Sequence, residues 1–259
     1  MKIARAIATC SLAGIALAGC SAQAAPDDSR VAGSMSVEQL ELYTPNIQSI
    51  NPIDDSVDAV NDCHRPEGSG VMMSFDDYGT PEQIHTLLRE LKELNWQAAF
   101  FPTLEWAKDN RSLIVEMQKD GHLVGSHTWT HQDLGELVAA GNEKELAQEL
   151  KPLDGVENTD PMLLRPPYGG GMDKPDVLKK IADHGYQVCG WTADSNDWRG
   201  GTAEEMLKRV MDGYEYSPEP LTPDGVVLSH MHGEHTAEFV EVLAAELDKR
   251  GWKRAPLHK

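Results

Sequence analysis

From Val71 onward, short apolar runs alternate with amphipathic segments of helical period, in contrast to the polar stretch that precedes them. The runs are VMMSF (71–75), QAAFF (97–101), HLVGS (122–126), MLLR (162–165), YQVCGWTA (186–193) and GVVLS (225–229). They are apolar enough to be buried on both faces, which marks parallel strands rather than strands with one solvated side. Between them lie PEQIHTLLRELKEL, SLIVEMQKDG, EKELAQEL, DKPDVLKKIADHG and TAEEMLKRVMDG, and TAEFVEVLAAELDKRG closes the chain. Their apolar residues recur three and four apart and predict helices. This alternation predicts a single α/β domain over residues 67–259. Polar residues cluster where the strand runs end: DD after VMMSF, His127 after HLVGS, RPPYG after MLL, DSNDW after GWTA and His230 after VVLS. A curled sheet brings all those ends to one face, so the expected fold is a distorted or partial (β/α) barrel with parallel strands rather than a doubly wound sheet.

The segment before this domain reads differently. Lys2 and Arg5 precede an apolar run too short to span a bilayer, so residues 1–19 predict an export signal. LAGC at 17–20 resembles the lipobox of bacterial lipoproteins, which implies cleavage before Cys20 and a lipid anchor on that residue. Ser21 resembles the sorting pattern for the outer membrane of Gram-negative bacteria; an ordinary secretory signal cut after AQA is the alternative. Residues 20–66 are rich in Asp, Ser, Pro and Asn and predict a tether, with VEQLELY as a short periodic piece. Removing residues 1–19 takes away Lys2 and Arg5 and no acid, moving the formal net charge from −19 to −21. Such a field repels nucleic acid and leaves neutral or cationic partners, unless it is simply a solvated acidic surface. Cys10 belongs to the signal and Cys20 to the anchor, so Cys63 and Cys189 are left as a candidate disulfide in an oxidising compartment, with two free thiols as the alternative.

Two places carry candidate chemistry on their own. In GSHTWTHQDL, His127 and His131 stand four apart, a spacing that stacks both rings on one face of a helical turn. No glutamate follows His127, so the H-E-x-x-H zinc pattern is absent and a third ligand and a base must come from elsewhere. Asp76 and Asp77, adjacent at a strand end, point different ways, so one can bind metal while the other stays free. Asp77 with His127 and His131 makes an Asp/His/His set that leaves coordination positions open, as catalytic rather than structural sites do. Zinc is the first choice of divalent metal for these ligands, with cobalt, nickel or manganese as alternatives.

Taken together and in order, SFDDY, HTWTH, RPPYG, DSNDW and LSH resemble the five motifs of the polysaccharide deacetylases of carbohydrate esterase family 4, over about residues 70 to 257. The resemblance implies Asp77 as metal ligand, Asp76 as general base, Arg165 as the residue orienting Asp76 and the Tyr168 amide as an oxyanion donor. It implies His230 as general acid, kept protonated by Asp197, with Asp194 as the second choice. Trp198 would pack against the sugar or acetyl group and Leu228 would line the acetyl pocket. Two positions depart from the pattern: Tyr78 intervenes before Gly79, and Met231 stands where relatives often carry an acid. His232 and His235 match no motif position and read as solvated loop residues. The implied activity is metal-dependent removal of N-acetyl groups from an N-acetylglucosamine-containing glycan of chitooligosaccharide or peptidoglycan type, with release of acetate. The same machinery would serve O-deacetylation of acetylxylan, and the complete motif set counts against a binding lipoprotein that has lost catalysis.

Overall fold

The computed structural model describes Val60, residues 63–215 and residues 217–256. The predicted signal, Cys20 and most of the predicted tether lie outside the described residues. The strands are β1 (Met72–Asp77), β2 (Ala98–Pro102), β3 (Leu123–Val124), β4 (Met162–Leu164), β5 (Tyr186–Val188), β6 (Ala193–Asp194) and β7 (Val226–His230). One sheet runs in the order β3-β2-β1-β7-β6 and a second ladder joins β4 to β5, all in parallel. A parallel bridge between Ser126 and Leu164 connects the two.

The run YQVCGWTA, expected as one strand, is broken at Cys189–Thr192. Its first half pairs with β4 and its second half with β7. A single chain segment thus carries the ring from β4 round to β7, which makes the predicted distorted barrel. The break also turns the carbonyls of Cys189 and Gly190 away from a ladder, leaving them as acceptors for a side chain.

Helices α1 (Pro81–Glu93), α2 (Leu104–Asp109), α3 (Arg111–Lys119), α4 (Leu134–Ala139), α5 (Glu143–Glu149), α6 (Pro175–Asp183), α7 (Ala203–Asp212) and α8 (Thr236–Arg250) surround the strands. In α1 the Thr80 hydroxyl caps the Gln83 amide, the Gln83 side chain accepts from the Thr80 amide, and Pro81 opens the first turn. Its stripe Ile84, Leu87, Leu88 and Leu91 is buried in the cluster that holds Met72, Met73 and Phe75 of β1 and Phe239, Val240 and Leu243 of α8. A smaller cluster, with Leu134, Leu146, Leu164, Val177 and Ile181, lies under α4 to α6. The six-residue helices α2 and α4 went unpredicted because they are too short to establish a period.

Val60 and Cys63, near the end of the predicted tether, are buried on the domain. Cys63 is disulfide-bonded to Cys189, and the Gly190 amide donates to the Val60 carbonyl at 2.7 Å. The incoming chain is therefore fastened to the strand break. Among the described residues no helix is long and apolar enough to cross a membrane.

Candidate active site

Strand alternation along β1 puts Ser74 and Asp76 on one face. Arg165, fully buried at the end of β4, reaches both: Nη1 donates to Asp76 Oδ1 at 2.9 Å and to Ser74 Oγ at 2.8 Å. Its Nε donates to the Cys189 carbonyl at 3.0 Å and Nη2 to the Gly190 carbonyl at 2.5 Å, while the guanidinium lies 4.3 Å over the Phe101 ring. Burying this cation is tolerable because one carboxylate and three further oxygens replace its water. The result is a carboxylate, Asp76, held in one geometry at the barrel mouth.

Asp77 turns the other way, with a left-handed φ of 73°. Its Oδ1 lies 3.5 Å from His127 Nε2 and 3.2 Å from His131 Nε2, and the three candidate ligand atoms fall within 4.8 Å of one another. That Oδ1 is buried and has no hydrogen-bond partner, which is costly unless a cation takes its lone pairs. His127 Nδ1 is 2.7 Å from the Arg165 carbonyl. A carbonyl only accepts, so the proton sits on Nδ1 and the lone pair on Nε2 points at Asp77. Burial lowers the His127 pKa in spite of Asp76 and Asp77 nearby, favouring the neutral ring that ligation needs. For Asp77 burial acts upward, but close His131, His127 and His230 outweigh it and bring the pKa down to about 2. These residues fit a divalent metal.

The expected helical turn at His127 and His131 is not there. The two sit on a loop, with left-handed φ at Thr128 (62°) and His131 (65°), and the rings still converge with centroids 4.8 Å apart. What holds the loop is Glu149, at the end of α5, which sequence reading passed over. Its buried carboxylate accepts from the Trp129 amide (3.0 Å), the Thr130 amide (2.8 Å), the Thr130 hydroxyl (2.6 Å) and Gln132 Nε2 (3.1 Å). Burial pushes its pKa up, and the Thr130, Thr128 and Gln132 bonds outweigh this and lower it. Glu149→Ala is expected to weaken metal binding by about 10 to 100-fold with all three ligands still present. Zinc titration of the metal-free protein against a competing chelator checks this; unchanged affinity would confine Glu149 to fold stability.

Across the mouth, β7 ends in His230, whose Nδ1 lies 2.7 Å from Asp197 Oδ1. Asp197 also accepts from the His230 amide (2.7 Å), the Trp198 amide (3.0 Å) and the Thr236 hydroxyl (3.1 Å). Burial disfavours charge on His230, but the bond to Asp197 and the charges of Asp197, Asp76 and Asp77 prevail and raise its pKa to about 9. Asp194, the second choice as the partner of this imidazole, does not serve as one. It is tied to the Asn196 amide at 2.7 Å, and burial raises its pKa to about 6. A sharp turn separates the two acids, with Asn196 in left-handed conformation, so only Asp197 faces His230. Leu228, two residues before His230, is buried yet belongs to neither apolar cluster. Tyr168, also left-handed, sets its hydroxyl 3.2 Å from His131 Nδ1, and Trp198 is exposed beside Asp197. Left-handed non-glycine residues thus gather around the site, where strain costing about 1–3 kcal/mol each is characteristic of function.

Of the two unmatched histidines, His235 is the solvated residue expected and pairs with Glu238 on the surface. His232 is not. Its ring stacks on Tyr78 with centroids 5.2 Å apart and planes 17° apart, and its buried, unpartnered Nδ1 lies 3.8 Å from Asp77 Oδ2. Met231 turns into the apolar core, and its amide donates to the Asp76 carbonyl at 3.0 Å. Neither Glu149 nor His232 had a motif to flag it.

Residues 64–189 match the family described as polysaccharide deacetylase. A peptidoglycan-N-acetylglucosamine deacetylase of Bacillus cereus is 24% identical over 185 residues, covering 70% of this chain and 64% of that protein. The peptidoglycan-N-acetylmuramic acid deacetylase PdaC of Bacillus subtilis is 27% identical over 147 residues, 57% of this chain and 30% of that protein. The chain therefore spans less than two thirds of the length of these relatives. A solved carbohydrate esterase family 4 pseudoenzyme of Bacillus anthracis shares the fold with a TM-score of 0.60 at 23% identity, over 73% of this chain and 64% of the other. The matched segment holds Asp76, Asp77, His127, His131 and Arg165, and the barrel brings Asp197 and His230 to them from beyond it: residues 64–189 are similar to a polysaccharide deacetylase domain.

Proposed function

We propose that the protein is a metal-dependent hydrolase that removes N-acetyl groups from an N-acetylglucosamine-containing glycan of the peptidoglycan or chitooligosaccharide type and releases acetate. One observation carries the reading: two separately oriented acid–base groups, Asp76 on Arg165 and His230 on Asp197, flank one Asp77/His127/His131 cluster. The B. anthracis pseudoenzyme shows that this fold alone does not secure activity, so the argument rests on the side chains.

Asp77, His127 and His131 would hold a divalent ion, zinc being the first choice, and such an ion would supply Lewis acidity for the acetyl carbonyl and for water. Asp76, fixed by Arg165, accepts the proton of the attacking water. The Tyr168 amide donates to the oxyanion as it forms. His230, charged because Asp197 backs it, gives its Nε2 proton to the departing amine, and Nδ1 keeps the bond to Asp197. Leu228 and Trp198 supply the apolar wall for the acetyl group and sugar. A formal charge of −19 disfavours nucleic acid as a partner.

Assay of acetate release from N-acetylglucosamine oligomers, peptidoglycan fragments and acetylxylan, with metal analysis, tests the reading; turnover of acetylxylan alone would replace it. We propose further that Cys20 carries a lipid that holds the enzyme at the outer membrane. Release of Cys20→Ser into the soluble fraction is the expected result, and retention after high salt removes the anchor.

A further inference from the structure

Among the described residues the exposed large apolar side chains are Tyr78, Tyr168 and Trp198, and all three rim this one site. The last two belong to the motifs, whereas Tyr78 is this chain's own departure. It is 52% exposed, directly follows Asp77, and has one face covered by the His232 ring at 5.2 Å.

The stack is built rather than incidental. Gln83 Nε2 donates to the His232 carbonyl at 3.0 Å, while Gln83 Oε1 takes part in the capping box of α1 at 2.9 Å, so one side chain links the helix start to the His232 loop. Gly79 presses against the same loop: a Cβ there would lie 3.1 Å from the Met231 carbonyl oxygen and 3.3 Å from Met231 Cβ. Tyr78 is thus held in place before anything binds, and an ordered aromatic ring offers contact area at little entropic cost.

We propose that Tyr78, backed by His232, is a platform for a pyranose of the glycan chain and makes the site selective for oligomers over single sugars. This rests on the glycan deacetylase reading above. The sugar on Tyr78 is a neighbour of the one that reacts, because two ring-to-ring steps, 5.2 Å to His232 and 5.5 Å on to His230, separate the platform from the acid. The axial C–H groups of a pyranose match the open aromatic face, and the phenol edge can bond a hydroxyl.

The test compares the unaltered protein with Tyr78→Ala, Tyr78→Phe and His232→Ala at matched zinc content, on N-acetylglucosamine as monomer and tetramer. For Tyr78→Ala, KM on the tetramer is expected to rise about tenfold, the scale of one aromatic contact, with a much smaller change in kcat or on the monomer. Tyr78→Phe should retain most of the tetramer affinity and His232→Ala should lose part of it. Equal losses on monomer and tetramer would make Tyr78 a support for Asp77 and overturn the platform, as would a tetramer KM that does not move. Absence of glycan turnover in the unaltered protein would remove the deacetylase reading itself, a result distinct from either.

Discussion

On an N-acetyl sugar, His230→Ala is expected to lose about 10² to 10⁴ in kcat/KM, whereas on an activated aryl acetate it should keep most of its rate. The difference comes from the leaving group. An amine departs only when protonated, and His230 is the protonated imidazole at the mouth; a phenolate departs without help. Asp76→Asn should lose both activities, since the group proposed to take the proton of water is gone in either case. Asparagine is preferred to alanine here because Arg165 is fully buried, and removing its partner's oxygens would leave an uncompensated guanidinium worth about 3–5 kcal/mol of stability. Thermal unfolding and metal content should be matched before rates are compared, because a lost ion imitates a lost base. Equal falls on both substrates for His230→Ala, or an aryl acetatase surviving in Asp76→Asn, would show that acid and base are assigned to the wrong residues.

These two residues also show how much was legible before any coordinates. The barrel followed from apolar runs, which record burial on both faces, and from polar residues at the run ends, since strand ends in a barrel meet. Asp76, Asp77, His127, His131, Arg165, Asp197 and His230 arrived by motif, and the structure brings them together within one mouth. What failed to show was whatever depends on backbone conformation or on one long-range contact. His127 and His131 have helical spacing but reach each other through two left-handed residues, because backbone amides at 129 and 130 are bonded to Glu149 instead of to a preceding turn. Glu149 sits in an unremarkable amphipathic helix, and nothing local marks an acid whose partners lie 17 to 20 residues earlier. The broken strand at Cys189–Thr192 reads as continuous because each half is apolar, and only the three-dimensional ring reveals that the halves serve different neighbours. The choice between Asp194 and Asp197 was likewise a matter of turn geometry.

That choice predicts a pH profile. The pKa of His230 is raised to about 9, chiefly by Asp197 acting against burial, so the proposed acid is charged below that pH and is lost as pH rises through it. The alkaline limb of kcat/KM on an N-acetyl sugar should therefore lie well above neutrality. Replacing Asp197 by Asn removes the opposing charge and leaves the burial, which disfavours imidazolium, so the limb should move down by about 1–3 units. At pH 8 the variant then loses most of its N-acetyl activity and recovers part of it toward pH 6, while its aryl acetate activity, which needs no acid, keeps the parental profile. A cation at Asp77 repels His230⁺ in both proteins and lowers both limbs, so the difference between them is the quantity to read. Some stability goes too, about 1–3 kcal/mol, because an amide nitrogen would meet the donors now accepted by Asp197 Oδ2, the His230 amide and the Thr236 hydroxyl; the assay temperature must stay below unfolding. Asp194→Asn is the matched control, since Asp194 is bonded to Asn196 and not to the imidazole. A limb that stays put in Asp197→Asn, or that moves as far in Asp194→Asn, would take the role of backing the acid away from Asp197.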